Sequence, residues 1–151
     1  LGGISGSLGS ENSLNSLLVD RKIVSPLICY ESVYGEMNLG QTNFLAIITN
    51  DGWWKNTAGH KQHFQYASLR AIEQRKSIVR SANTGISAVF NEKGEVLQQS
   101  KWDEAICIEA KVNLNNELTF YSQYGDYIGR LSLFVATILL FVTFVRIRLK
   151  E

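Results

Sequence analysis

The sequence is poor in the residues that build several common kinds of protein. Proline occurs once in 151 residues and cysteine and histidine twice each, while Lys plus Arg (15) nearly cancels Asp plus Glu (14) for a formal net charge of +1. Two cysteines cannot staple a disulfide-dense scaffold, and no CxxC or HxxxH pattern offers a zinc site, so no metal or other cofactor is expected. The near-neutral balance leaves no electrostatic footprint for nucleic acid. Apolar residues at 45% and charged residues at 19% exclude a disordered or low-complexity chain. No basic-then-apolar leader opens the chain; it starts inside a Gly/Ser run and reads as a piece of something longer.

Strand and turn signals alternate along most of the length. Leu1 to Asn15, rich in Gly, Ser and Asn, reads as a loop. Leu17 to Val19 is a short apolar run before the polar turn Asp20-Arg21-Lys22. Ile23 to Tyr30 reads as a buried strand whose Pro26 marks a strand start or an irregular edge. Glu31 to Leu39 reads as a short helix or turn, and Phe44 to Thr49 as a second buried strand ending in the turn Asn50-Asp51-Gly52. His60 to Gln74 carries Phe64, Ala67, Leu69, Ala71 and Ile72 at helical spacing. Ser77 to Arg80 and Gly85 to Phe90 read as further strands, the latter joined to Glu95-Val96-Leu97 by the hairpin turn Asn91 to Gly94. From Ala105 to Leu114, apolar Ile106, Ile108, Ala110, Val112 and Leu114 alternate, which predicts one more strand with Cys107 packed in it. Parallel-type strands around a helix, followed by antiparallel hairpins, indicate an α/β or layered α+β domain.

The last segment is of another kind. Tyr127 to Val145 has Arg130 as its only charge, and at ~1.5 Å per residue spans about 28 Å, close to the hydrocarbon thickness of a bilayer. Arg146, Arg148 and Lys150 follow at once. A transmembrane helix over 127–145 is expected, with a cytoplasmic tail at 146–151 and the preceding domain on the opposite side. Tyr121, Tyr124 and Tyr127 stand where an interfacial aromatic belt belongs, and Arg130 could snorkel to the headgroups.

Cys29 ends a predicted buried strand directly before a polar turn, the position at which α/β folds expose a nucleophile. The same residue also fits as a small core hydrophobe. Glu31, two residues on, could orient a neighbour or handle protons. Asn50-Asp51-Gly52-Trp53-Trp54 is either turn chemistry plus packing or a pocket wall, because two consecutive Trp are costly unless covered. Arg70 and Glu73 could pair on a helix surface, Asn83-Thr84-Gly85 could be a plain turn, and His60 and His63 lack a third ligand for a metal.

In order, Ile28-Cys29-Tyr30-Glu31, Thr49 to Trp54, Gln62-His63-Phe64, Arg70 to Glu73, Arg80 to Ser87 and Asn91 to Gly94 resemble the C-terminal half of a nitrilase-superfamily domain. With the terminal apolar helix added, the pattern is similar to the apolipoprotein N-acyltransferase family within it. The resemblance implies the C-terminal portion of an αββα sandwich over 1–120, followed by one membrane helix. It implies Cys29 as nucleophile and Glu31 in support, with Tyr30, Asn50, Asp51, Trp53 and Trp54 at the substrate site. The family's general-base Glu and its Lys have no match here, so the chain alone is expected to be inactive. The implied reaction moves an acyl chain from a membrane phospholipid through a Cys29 thioester to the amine of an apolipoprotein, outside the bacterial inner membrane. A membrane-anchored amidase using water as acceptor is the competing reading, and a non-enzymatic envelope domain a third.

A charge at the centre of the apolar helix tests the membrane expectation. Leu139→Lys should cost ~2.5–3.5 kcal/mol of insertion free energy. The measurement is the fraction of protein extracted from membranes by carbonate, which should rise in the variant.

Overall fold

The computed structural model describes residues 16–38 and 40–149. The loop expected over 1–15, Leu39 and the Lys150–Glu151 end lie outside the described residues. Six strands form one mixed sheet in chain order. They are β1 (Leu17–Val19), β2 (Lys22–Ile28), β3 (Phe44–Thr49), β4 (Ile78–Ala82), β5 (Ala88–Phe90) and β6 (Val96–Gln99). The β2–β3 and β3–β4 pairs are parallel and the remaining pairs antiparallel. The central parallel strand, β3, is the most continuous apolar run of the three, as a strand flanked by parallel neighbours should be.

Local chemistry explains the connections. Asp20 and Arg21 both adopt positive φ, 47° and 62°, which closes the tight β1–β2 hairpin. β1 reaches only to the Leu17–Val24 pair. The Ser25 N–H points to the β3 side, where it meets Thr42, so the nitrogen of Pro26 faces the outer edge beyond β1. A residue without an N–H costs no ladder bond there. The single proline therefore lies within the strand, not at its start, and past its last pairing with β1 among the described residues.

One helix, α1 (Ala58–Gln74), makes the parallel crossover from β3 to β4. Thr57 caps its first turn and Arg75 ends it in the left-handed conformation. Its packed face joins Phe64, Ala67 and Ala71 to Leu27, Leu45, Ile47, Ile78, Ala88 and Phe90 of the sheet. The inward stripe is His60, His63, Phe64, Ala67, Arg70, Ala71 and Gln74, a regular i, i+3, i+4 pattern that is half polar. Leu69 and Ile72, expected inside by their apolar character, stand on the outer face. Arg70 and Glu73 do pair, at 3.1 Å, but Arg70 is buried and the pair is not on the surface. Burial pushes the Glu73 carboxyl above its usual range; Arg70 opposes the rise and Asp126 adds to it.

The strand expected over Ala105 to Leu114 is absent; this stretch joins no ladder. The alternation itself survives from Ile108 to Asn113, where Ile108, Ala110 and Val112 are half-buried and their neighbours exposed. Alternation selects a face, but a strand also needs a neighbour to accept its hydrogen bonds. Cys107 is consequently exposed rather than packed. The extended segment is tied down further on. Lys76, almost wholly buried, donates through Nζ to the carbonyls of Asn115 and Glu117, and the Asn115 amide donates to the Arg75 carbonyl. Burial lowers the Lys76 ammonium below its usual range, with Glu117 opposing.

After the short α2 (Phe120–Tyr124) comes α3 (Tyr127–Arg148). This is the one helix among the described residues long and apolar enough to cross a membrane, with mean hydropathy 2.2 and none of its apolar window buried. Thr137 and Thr143 return their hydroxyls to the carbonyls of Leu133 and Leu139, so no side-chain donor of theirs is left outward. Arg130 is held by Glu36 at 2.7 Å. Phe120 packs against Tyr124 and Tyr127 at the helix base.

Lys76→Met keeps the stem and removes both carbonyl bonds. Leaving those buried acceptors unpaired should lower stability by about 1–3 kcal/mol. Thermal melting measures the loss, and hydrogen exchange should show the amides around 115–117 losing protection.

Candidate active site

Three parallel strands end along one edge of the sheet, and the candidate residues gather there, in the crevice outside the carboxyl ends that α/β sheets use for ligands. β2 leads into Cys29, β3 into Asn50 and Asp51, and β4 into Asn83, Thr84 and Gly85. Cys29 opens a 3₁₀ turn over Cys29–Val33 and is itself left-handed, with φ 52°. For a residue with a Cβ that conformation costs about 1–2 kcal/mol, and it persists only where surrounding bonds impose it.

Those bonds are present. The Ile28 N–H donates to Glu31 Oε2 at 2.7 Å, so Glu31 fixes the entry to the turn. Ser32, buried, donates its hydroxyl to the Cys29 carbonyl at 2.8 Å. His63 Nε2 lies 3.2 Å from the same carbonyl and 3.1 Å from Ser32 Oγ. The Cys29 carbonyl is thus held by Ser32 of its own turn, with the His63 ring of α1 beside both. Its sulfur, half-buried, lies 3.3 Å from the hydroxyl of Thr49 at the end of β3.

Behind the turn lies Asp51, fully buried, two residues past the end of β3 in another 3₁₀ turn, Asp51–Trp54. Its Oδ1 accepts from Thr49 and from His63 Nδ1, both at 2.9 Å, and its Oδ2 accepts from Arg80 at 2.6 Å. Arg80 projects from β4, donates to the Ile86 carbonyl as well, and lies over the Phe64 ring. Burial alone would push the Asp51 carboxyl up; the bonds from His63 and Arg80, the Arg80 charge and the Thr49 hydroxyl overcome it and hold the group below its usual range. Gly85, at φ 142°, packs so closely that a Cβ there would come within 2.9 Å of Asp51 Oδ2. Asn83-Thr84-Gly85 is therefore more than a plain turn. It covers the carboxylate, and the Thr84 carbonyl accepts the Asp51 N–H at 2.7 Å.

The other expected site residues divide. Asn50 caps the second 3₁₀ turn through Gly52 N–H at 3.1 Å. Tyr30 is exposed on the Cys29 turn, with its ring 6.4 Å from His63 and stacked on it, and half-buried Trp54 packs tilted against His63 at 5.1 Å. Trp53 is 85% exposed, its ring standing out from the crevice. Asp51 is at the centre but faces protein, not solvent. His63 and Arg80, which the sequence places in resembling motifs without a role at the site, are brought together beside the Cys29 turn. Their signal was positional: His63 on the inward stripe of a helix and Arg80 at an inward strand position, both where apolar residues belong. His60 does not join them; its ring packs against Trp102 at 4.0 Å. No group of His, Cys, Asp and Glu able to hold a metal occurs among the described residues.

Comparison with known proteins agrees with this geometry. Residues 7–117 match the carbon-nitrogen hydrolase family. The chain is 33% identical over 126 residues to the apolipoprotein N-acyltransferase of Chlorobaculum tepidum, covering 81% of this chain and 24% of that protein. It is 38% identical over 108 residues to the apolipoprotein N-acyltransferase of Caulobacter vibrioides, covering 69% and 20%. The chain therefore spans only about a quarter or less of the length of these relatives. Among solved structures, a carbon-nitrogen hydrolase from Helicobacter pylori G27 superposes with a TM-score of 0.56 at 13% identity, covering 64% of this chain and 42% of that one. A variant of the amidase from Nesterenkonia sp. AN1 gives 0.52 at 16% identity, covering 83% and 51%. These similarities establish the fold.

Asp51→Asn keeps the shape and removes the charge, leaving Arg80 buried without its counter-ion. The expected loss is about 3–5 kcal/mol. Because the folded value of Asp51 lies below its unfolded value of roughly 3.9, its contribution is complete above that pH and disappears as pH falls through the folded value. Melting temperature against pH should therefore drop more steeply on the acid side in the wild type than in Asp51→Asn.

Proposed function

The chain belongs to the carbon-nitrogen hydrolase family, and we propose that it supplies the nucleophile of a membrane-bound N-acyltransferase acting on apolipoproteins. The observation that carries the proposal is Cys29 itself: a half-buried thiol on a left-handed turn, at the carboxyl edge of a parallel sheet, gripped from behind by a fully hydrogen-bonded network. Similarity to relatives named apolipoprotein N-acyltransferase supplies the reaction class.

In this reading the Cys29 thiolate attacks an ester carbonyl of a membrane phospholipid. The tetrahedral intermediate expels a lysophospholipid alkoxide, which takes a proton, and leaves an acyl thioester. The α-amino group of a diacylglyceryl-modified N-terminal Cys then attacks that thioester, loses a proton and releases Cys29 as thiolate. A thiol divides one difficult acyl transfer into two easier ones. The general base and the Lys of the family belong to parts of the enzyme not in this sequence. Glu31 acts by fixing the turn, and Tyr30 with exposed Trp53 offers apolar faces along which acyl chains can lie.

The tail gives the reaction its place. We assign α3 to the inner membrane, with Arg146 and Arg148 on the cytoplasmic side and Cys29 on the periplasmic side. Glu36 ties the segment after the nucleophile turn to the base of that helix, through Arg130 at 2.7 Å and the Asp126 N–H at 3.0 Å; these bonds also lower the Glu36 carboxyl below its usual range. Both substrates are lipids, so a site held at this height meets them by diffusion in two dimensions.

Acyl transfer from phospholipid to a diacylglyceryl-Cys peptide should fall to background in Cys29→Ser. In the wild type, release of the acyl group to water with no acylated amine, although acceptor is present, would favour the amidase reading instead. Reporter fusions check the placement: one after Arg148 should be active only as a cytoplasmic reporter, one before Tyr121 only as a periplasmic reporter. The reverse pattern would put Cys29 on the wrong side for these substrates.

A further inference from the structure

Thr49 ends β3, buried, and its hydroxyl faces two groups at once. Oγ1 lies 3.3 Å from Cys29 Sγ and 2.9 Å from Asp51 Oδ1. A hydroxyl has one proton and two lone pairs, so it cannot donate to both. Beside a protonated thiol the arrangement closes in one way: Cys29 S–H donates to Thr49 Oγ1, and the Thr49 proton lies on Asp51. Beside a thiolate, which can only accept, the Thr49 proton turns to the sulfur. Asp51 tolerates the change. Its Oδ1 keeps the His63 bond at 2.9 Å and its Oδ2 keeps Arg80 at 2.6 Å, so the carboxylate is never left unpaired. The hydroxyl is therefore free to follow the charge on the sulfur.

Backbone geometry keeps it in place for that work. Thr49 is paired with Ala82 across the β3–β4 ladder, and its carbonyl accepts the Asn83 N–H at 2.9 Å. The hydroxyl sits on a rigid strand end, while the sulfur sits on a turn gripped by Ser32 and His63. Neither partner must move for the proton to swing between them.

We propose that Thr49 is a catalytic residue of this enzyme: its hydroxyl donates to Cys29 Sγ whenever the sulfur is a thiolate, before acylation and again when the amine releases it. The inference rests on the reading of Cys29 as the nucleophile. It assigns a role to a residue that is, by sequence alone, the last position of an apolar strand.

The test compares Thr49→Val, which loses the hydroxyl, with Thr49→Ser, which keeps it, in the full protein in its membranes. Iodoacetamide labelling of Cys29 is followed near neutral pH by mass spectrometry of the Cys29 peptide. Exposed Cys107 is the internal reference in the same molecules. Hydrogen bonds to charged groups are strong enough that Thr49→Val should slow Cys29 labelling about tenfold relative to Cys107. Thr49→Ser should stay within about twofold of wild type. In acyl transfer, Thr49→Val should lower kcat and leave KM for phospholipid unchanged. If Thr49→Val does not fold, judged by its melting curve, Thr49→Ala takes its place. Labelling at the wild-type rate in the variant without the hydroxyl, or Thr49→Ser as slow as Thr49→Val, overturns the proposal. The predicted labelling pattern in a protein that transfers no acyl group supports the Thr49 role and overturns the acyltransferase reading instead.

Discussion

The carboxylate of Asp51 links three elements where they meet behind the carboxyl edge of the sheet. Through Thr49 it reaches the end of β3, through Arg80 the middle of β4, and through His63 the inward face of α1. His63 passes the constraint on to the carbonyl of Cys29. A buried charge is tolerable only when paired and hydrogen-bonded, and here every oxygen is used. The cost of burial is also what makes the arrangement unique. A shift of any one element leaves a charge unpaired in the core, so the elements have one register in which they fit. The left-handed turn at Cys29 is imposed from outside by that register, which is how a conformation costing about 1–2 kcal/mol survives.

From this follows the division of roles around the crevice. Asp51, His63, Arg80, Ser32 and Glu31 face one another and the backbone; they position. Cys29 and Thr49 bring a sulfur and a hydroxyl side by side, 3.3 Å apart. Tyr30 and Trp53 stand exposed at the rim. Glu36 then links this assembly to the base of α3 through Arg130 and Asp126. The same short stretch of chain, from Cys29 to Glu36, thus carries the proposed nucleophile at one end and the tie to the base of α3 at the other.

Much of this was legible in the sequence where apolar pattern and turn chemistry act locally. The Phe44 to Thr49 run is β3 residue for residue. The placement of Cys29 at a strand end was readable from the polar turn after it, although Cys29 and Tyr30 belong to the turn and not to the strand. The polar inward stripe of α1 was not readable, because periodicity looks for apolar residues and this helix buries His63, Arg70 and Gln74. Leu69 and Ile72 misled for the same reason. The Asp51–Arg80 pair joins the turn after β3 to the middle of β4, and no local rule connects them. The Ala105 to Leu114 segment shows the opposite failure: the alternation was real, but the pairing that makes a strand depends on neighbours the segment does not have.

Everything proposed for this crevice depends on Cys29 carrying the acyl group between donor and acceptor. Supplying phospholipid without an acceptor amine should trap that species. Mass spectrometry of the intact protein and of its peptides should then find a fatty acyl adduct on Cys29, removed by hydroxylamine as a thioester is. An adduct on Cys107, or an acylated amine product formed with no acyl group ever found on Cys29, would contradict it.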